Sequence, residues 1–261
     1  MIIAFIITCI VVISIYLLIE YRYYVLYFFD MIKNKFKYLN DLNRLMNKDL
    51  AKKYLKDDDI KKYIDFLYKE FKGKGILLKI NKKDLFIVPD DLKRKLIYSR
   101  YDDKSIKELA YKILEYLRVD PKGIDVVAEY KSSKIKTGIA GLYYYDTHKI
   151  KVFVDPNYSY ENIVSITAHE CMHHFLTKNK IKLKDEIDNE TITDFSLIML
   201  GFSKYIIDGY KEKRRVIYET ENKRLVDTNK IGYLAYKDIL FAEKYIKKLD
   251  KGEKYENICS K

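Results

Sequence analysis

The chain has 261 residues, 48% of them hydrophobic, enough for one substantial core with room for a membrane anchor and a helical lead-in. Its 50 Lys and Arg exceed its 38 Asp and Glu, giving a formal charge of +12, but the basic residues are scattered among acidic ones and accompany no nucleic-acid motif. Nucleic acid is therefore set aside as a partner, and the Lys-, Ile- and Tyr-heavy composition without Trp fits the codon bias of an AT-rich genome.

Ile2 to Ile19 contain no charge, with only Thr8, Ser14 and Tyr16 as polar interruptions, which is about the length a helix needs to cross hydrocarbon. No Lys/Arg n-region and no small-x-small cleavage site are present, so the segment reads as an anchor rather than a cleaved signal. Tyr21, Tyr23, Tyr24, Tyr27, Phe28 and Phe29 have the composition of an interfacial aromatic belt, and residues 1–29 are taken as anchor plus belt. Nothing basic precedes the span, while Arg22, Lys33, Lys35 and Lys37 follow it. The positive-inside rule then makes a single-pass membrane protein with its remainder in the cytoplasm, and the basic stretch is drawn to anionic lipid.

Residues 30–72 lack Pro and Gly, and Ile60, Tyr63, Ile64, Leu67 and Phe71 recur at helical spacing, which predicts amphipathic juxtamembrane helices linking anchor to domain. Gly73 and Gly75 punctuate the chain, and 73–261 is taken as the main domain. Ser105 followed by Glu108 predicts a capped helix through Arg118. Extended stretches Ile124 to Tyr130 and Ile139 to Tyr145 come next, and the turn Asp146 to Lys149 leads into Ile150 to Val154, the last two as a hairpin. Ser159 is the expected N-cap of the following helix, and a final helix is expected from Tyr236 to Leu249. The fold class is therefore α+β. Of the cysteines Cys9, Cys171 and Cys259, none suggests a disulfide framework.

His169-Glu170-Cys171-Met172-His173 fits H-E-x-x-H, in which two histidines four apart share a helical face and can reach one metal. Glu170, beside the first ligand, is placed to take a proton from water rather than to bind. Of four histidines in the chain, three fall here; Cys171 and His174 turn away from the ligand face, and His148 reads as a surface residue of a turn. The third ligand is sought in Asn189-Glu190-Thr191-Ile192-Thr193-Asp194: Glu190 can complete a His/His/Glu site, and Asp194, one helical turn on, can accept from the outer nitrogen of a histidine.

Together the two segments, within about residues 148–202, resemble the gluzincin metallopeptidases, the thermolysin-like clan. The resemblance implies a zincin-like catalytic domain with one zinc ion on His169, His173 and Glu190, Glu170 as catalytic base and Asp194 as support. It implies a peptide or protein substrate, paired along the strand ending at Val154. The interval from His173 to Glu190 is shorter than in thermolysin, and no histidine follows His174, leaving Tyr210, Arg214, Arg215 and Tyr233 as candidates for oxyanion stabilisation. The alternatives to an enzyme are a zinc-binding regulatory module whose peptidase chemistry has lapsed and a membrane scaffold with a fortuitous motif.

Overall fold

The computed structural model describes residues 55–130, 140–210, 213–220, 223–229 and 232–250. The apolar stretch 2–19 and its aromatic flank lie outside them, and among the described residues no helix is long and apolar enough to cross a membrane. Helix α1 (Asp57–Gly73) opens with three aspartates and buries Ile60, Ile64, Leu67 and Phe71, one face at the spacing the sequence predicts. That face meets two later helices, so the segment expected to connect anchor to domain also contributes to the domain core.

Helix α2 (Asp90–Tyr98) precedes α3 (Asp103–Tyr116). The cap of α3 is Asp102, whose carboxylate accepts from the Ser105 amide at 2.9 Å, and not Ser105 itself. An ionised acceptor facing the positive helix end makes the stronger cap, and Ser105 becomes a buried third residue. Arg118 at positive φ turns the chain out of the helix, toward Asp120 and Pro121.

Strands β1 (Asp125–Tyr130), β2 (Gly141–Tyr144) and β3 (Lys149–Val154) form one sheet in the order β1-β3-β2. β2 and β3 make the expected antiparallel hairpin, and β1 lies parallel to β3. The strand ending at Val154 is therefore the centre of the sheet, not the edge expected to receive substrate, because both of its sides are taken; among the described residues the edges are β1 and β2, the latter the outer strand of the hairpin. Ile150, Val152 and Val154 point inward, while Lys149 and Lys151 pair outward with Asp125 and Glu129 at 2.9 and 2.8 Å.

Helix α4 (Tyr160–Lys178) starts at the expected Ser159, with a capping box closed by Asn162. It is buried on every side from Asn162 to Leu176, because the sheet, α3 and two further helices, α5 (Glu186–Met199) and α6 (Ser203–Gly209), pack around it. Its polar residues are accommodated locally: Thr167 donates to the Ile163 carbonyl at 2.8 Å and Ser165 to that of Tyr205 at 2.6 Å. A two-stranded antiparallel ribbon, β4 (Lys213–Thr220) with β5 (Lys223–Asn229), precedes α7 (Tyr236–Asp250), which packs on α1 and α5. The architecture is a mixed α+β fold built around one buried helix.

Candidate metal centre

His169 and His173 stand one turn apart on α4, and α5 crosses that face so that Glu190 meets both. The His169 and His173 Nε2 atoms are 3.0 Å apart, and Glu190 Oε2 lies 2.9 Å from the first and 3.1 Å from the second. Both histidines are buried at 6% exposure, so no bulk water separates these atoms. The outer nitrogen of His169, Nδ1, donates to Asp194 Oδ1 at 2.8 Å, which turns the Nε2 lone pair toward the cluster. Two imidazole nitrogens and a carboxylate oxygen lie this close only with a proton or a metal ion between them. The donor set fits a metal ion, and His169, His173 and Glu190 could hold one.

The electrostatics agree with that demand. Burial alone disfavours a protonated His169, but Asp194 and Glu190 outweigh it and hold the ring well above the usual histidine value. Burial would raise Glu190, yet His173 and His169 hold its carboxyl well below the usual range. Glu170 differs: burial raises it to about 7, the two histidines oppose the shift, and Glu190 and Asp194 add to it. It is thus a carboxyl poised near neutrality beside the cluster and not among its three converging atoms.

Asp194 is fully buried and accepts three hydrogen bonds: from His169, from the Tyr210 hydroxyl at 2.5 Å and from the Tyr233 amide at 3.1 Å. Gly232 lets the last two coexist, since a Cβ there would fall 1.8 Å from Tyr210 Cε2, and its φ of +80° is one that side chains rarely adopt. Of the four residues considered for oxyanion stabilisation, Tyr210 thus directs its hydroxyl to Asp194. Tyr233 stacks its ring on His169, with centroids 5.5 Å apart, and burial followed by Glu190 and Glu170 raises its hydroxyl well above the usual value. The side chains of Arg214 and Arg215 lie outside the described residues.

His148, expected as a surface residue, turns inward instead. Its Nδ1 lies 2.8 Å from the Tyr143 hydroxyl, which also lies 2.9 Å from His174 Nδ1. Its positive φ of 50° in the hairpin turn brings the ring back over the sheet. Tyr143 in turn lies parallel to the His173 ring, with an interplanar angle of 3° and centroids 6.3 Å apart. The signal available in the sequence was alternation along β2, which puts Gly141 and Tyr143 on one face. Cys171 packs as expected, buried with its thiol 3.8 Å from the Ala110 carbonyl.

Gly141 brings the edge strand to the site. All three of the atoms nearest a Cβ built there belong to Glu170, with Oε1 at 2.5 Å. The Phe153 amide donates to the Ala140 carbonyl at 2.9 Å, so by strand alternation the amide and carbonyl of Gly141 point away from β3, toward the side of β2 that pairs with no strand among the described residues. Compared with protein-family models, with curated proteins and with solved structures, the chain matches none, and its chemistry is read from these donor atoms alone.

Proposed function

We propose that this protein is a zinc-dependent metallopeptidase of the gluzincin type, tethered to a membrane by residues 2–19 with its catalytic domain in the cytoplasm. The observation that carries the reading is the pairing of a three-ligand cluster with a buried carboxyl, Glu170, that lies outside the ligand set and against β2, a strand unpaired on one side among the described residues. A site that only binds metal has no need of that carboxyl. Zinc suits two imidazole nitrogens and one carboxylate oxygen, and when bound it acts as a Lewis acid on water and on a carbonyl.

The chain's own residues do the rest. Glu170, a buried carboxyl beside the three ligands, accepts a proton from the attacking water and returns it to the leaving nitrogen of the peptide. Asp194 fixes the tautomer of His169 and is itself held by Tyr210 and the Tyr233 amide. The open side of β2 pairs with an extended peptide, placing a scissile bond beside Glu170. Tyr233, kept protonated and stacked on His169, is the hydroxyl donor for the developing oxyanion.

The test is zinc content together with hydrolysis of a peptide library. Wild type is expected to hold one zinc per chain and to cleave. Glu170→Gln keeps the zinc and loses cleavage by about 100-fold or more, whereas His169→Ala loses both. A wild-type protein with stoichiometric zinc and no cleavage would overturn the peptidase reading and leave a metal-binding module.

A further inference from the structure

We infer that Gly141 is a positioning residue for Glu170, and that the missing side chain at this place on β2 lets the carboxyl lie against the strand edge. The inference rests on the peptidase reading for its catalytic consequence, though not for its geometry. Gly141 sits within a strand and is not among the glycines at positive φ, so its conformation does not call for glycine. Space does. A Cβ would lie 2.5 Å from Glu170 Oε1, 2.8 Å from Cγ and 2.9 Å from Cδ, and atoms that are not bonded do not approach so closely.

The relief of that clash is predictable. The backbone of α4 is buried on every side and carries His169 and His173 in the cluster, so it cannot retreat from β2. β2 is paired with β3 from Gly141 to Tyr144, and Tyr143 is held at its hydroxyl by two histidines. The Glu170 side chain is the softest part of the contact. An added methyl group therefore moves the carboxyl and leaves the fold and the three ligand atoms where they are. A displacement of about 1 Å in a proton-transferring group costs on the order of 100-fold in rate.

The experiment compares the full chain as wild type and as Gly141→Ala, by crystal structure, zinc content and cleavage of fluorescein-labelled casein. The expected result is a displaced Glu170 carboxyl, unchanged zinc stoichiometry, and a kcat lower by about 10- to 100-fold with KM within about threefold. A Glu170 carboxyl in its original place, or an unchanged kcat, overturns the inference. If wild type holds zinc and cleaves neither casein nor the peptide library, the peptidase reading fails while the carboxyl position still decides the steric claim. Should Gly141→Ala not fold, Gly141→Ala with Glu170→Ala decides: restored folding locates the clash at Glu170, and continued misfolding overturns it.

Discussion

At the scale of single residues, Asp194 is where the site is most exposed to change. Its three hydrogen bonds join α4, the end of α6 and the segment before α7 to one buried carboxylate. Asp194→Asn nearly preserves the shape but offers a weaker acceptor to His169, and zinc affinity is expected to fall by about 10- to 100-fold, as measured by competition with a chelator. An affinity equal to wild type would show that His169 needs no such support. Glu170 gives a second prediction, read in the metal-free protein. Its carboxyl is raised in the folded state from 4.5 to about 7, so the folded state binds the proton more tightly than the unfolded chain. The associated stability is complete below the unfolded value and is lost as pH rises through the folded one. Glu170→Gln carries no titrating group, so its stability relative to wild type should climb across that window, by up to about 3 kcal/mol. Denaturation curves at several pH values decide this, since groups that do not interact with Glu170 titrate alike in both proteins and cancel; a constant difference would mean that burial does not govern Glu170.

At the scale of elements, the hairpin β2-β3 and helix α4 are joined by Tyr143, whose hydroxyl lies between His148 and His174. His174 Nε2 is buried without a partner among the described residues, so of its two tautomers the one with the proton on Nδ1 leaves only a lone pair unsatisfied. In that arrangement His174 donates to Tyr143 and Tyr143 donates to His148. Tyr143→Phe breaks both bonds while keeping the ring, and is expected to cost about 1–3 kcal/mol in chemical denaturation. A loss below about 0.5 kcal/mol would show that ring packing alone holds the hairpin. This junction was the least legible part of the sequence. The His169–His173 pair, the Ser159 cap, the hairpin and the last helix could be read because each depends on spacing within one segment. His148 could not, because its role depends on a partner in β2 and another in α4. The edge strand was misplaced for the same reason: parallel pairing of β1 with β3 brings together segments separated by β2 and its connections, and no local pattern records it. The cap of α3 was missed for a smaller reason, a choice between two good acceptors three residues apart.

At the scale of the whole molecule, the candidate metal centre adds a cross-link to a core that already stands. His169 and His173 come from α4 and Glu190 from α5, two helices that also pack on one another and bury Ile166, Ile192 and Phe195 in the core. Small zinc domains lose their fold without the metal because they have little else to bury, and this protein buries a continuous apolar core across the seven helices and the sheet of the described residues. Chelation should therefore weaken the fold without abolishing it. Zinc binding only to the native state stabilises it by about 4 kcal/mol at a free concentration 1,000 times Kd. For a domain of this size that corresponds to a rise in Tm of roughly 10 °C. Calorimetry of the full chain with zinc and after treatment with EDTA reads the shift, and circular dichroism reads whether helices persist in the chelated protein. His173→Ala should show no zinc-dependent rise, since two donors remain and the shared cation loses a ligand. A chelated protein without helical signal would mean that the metal, and not the packing around α4, organises the domain.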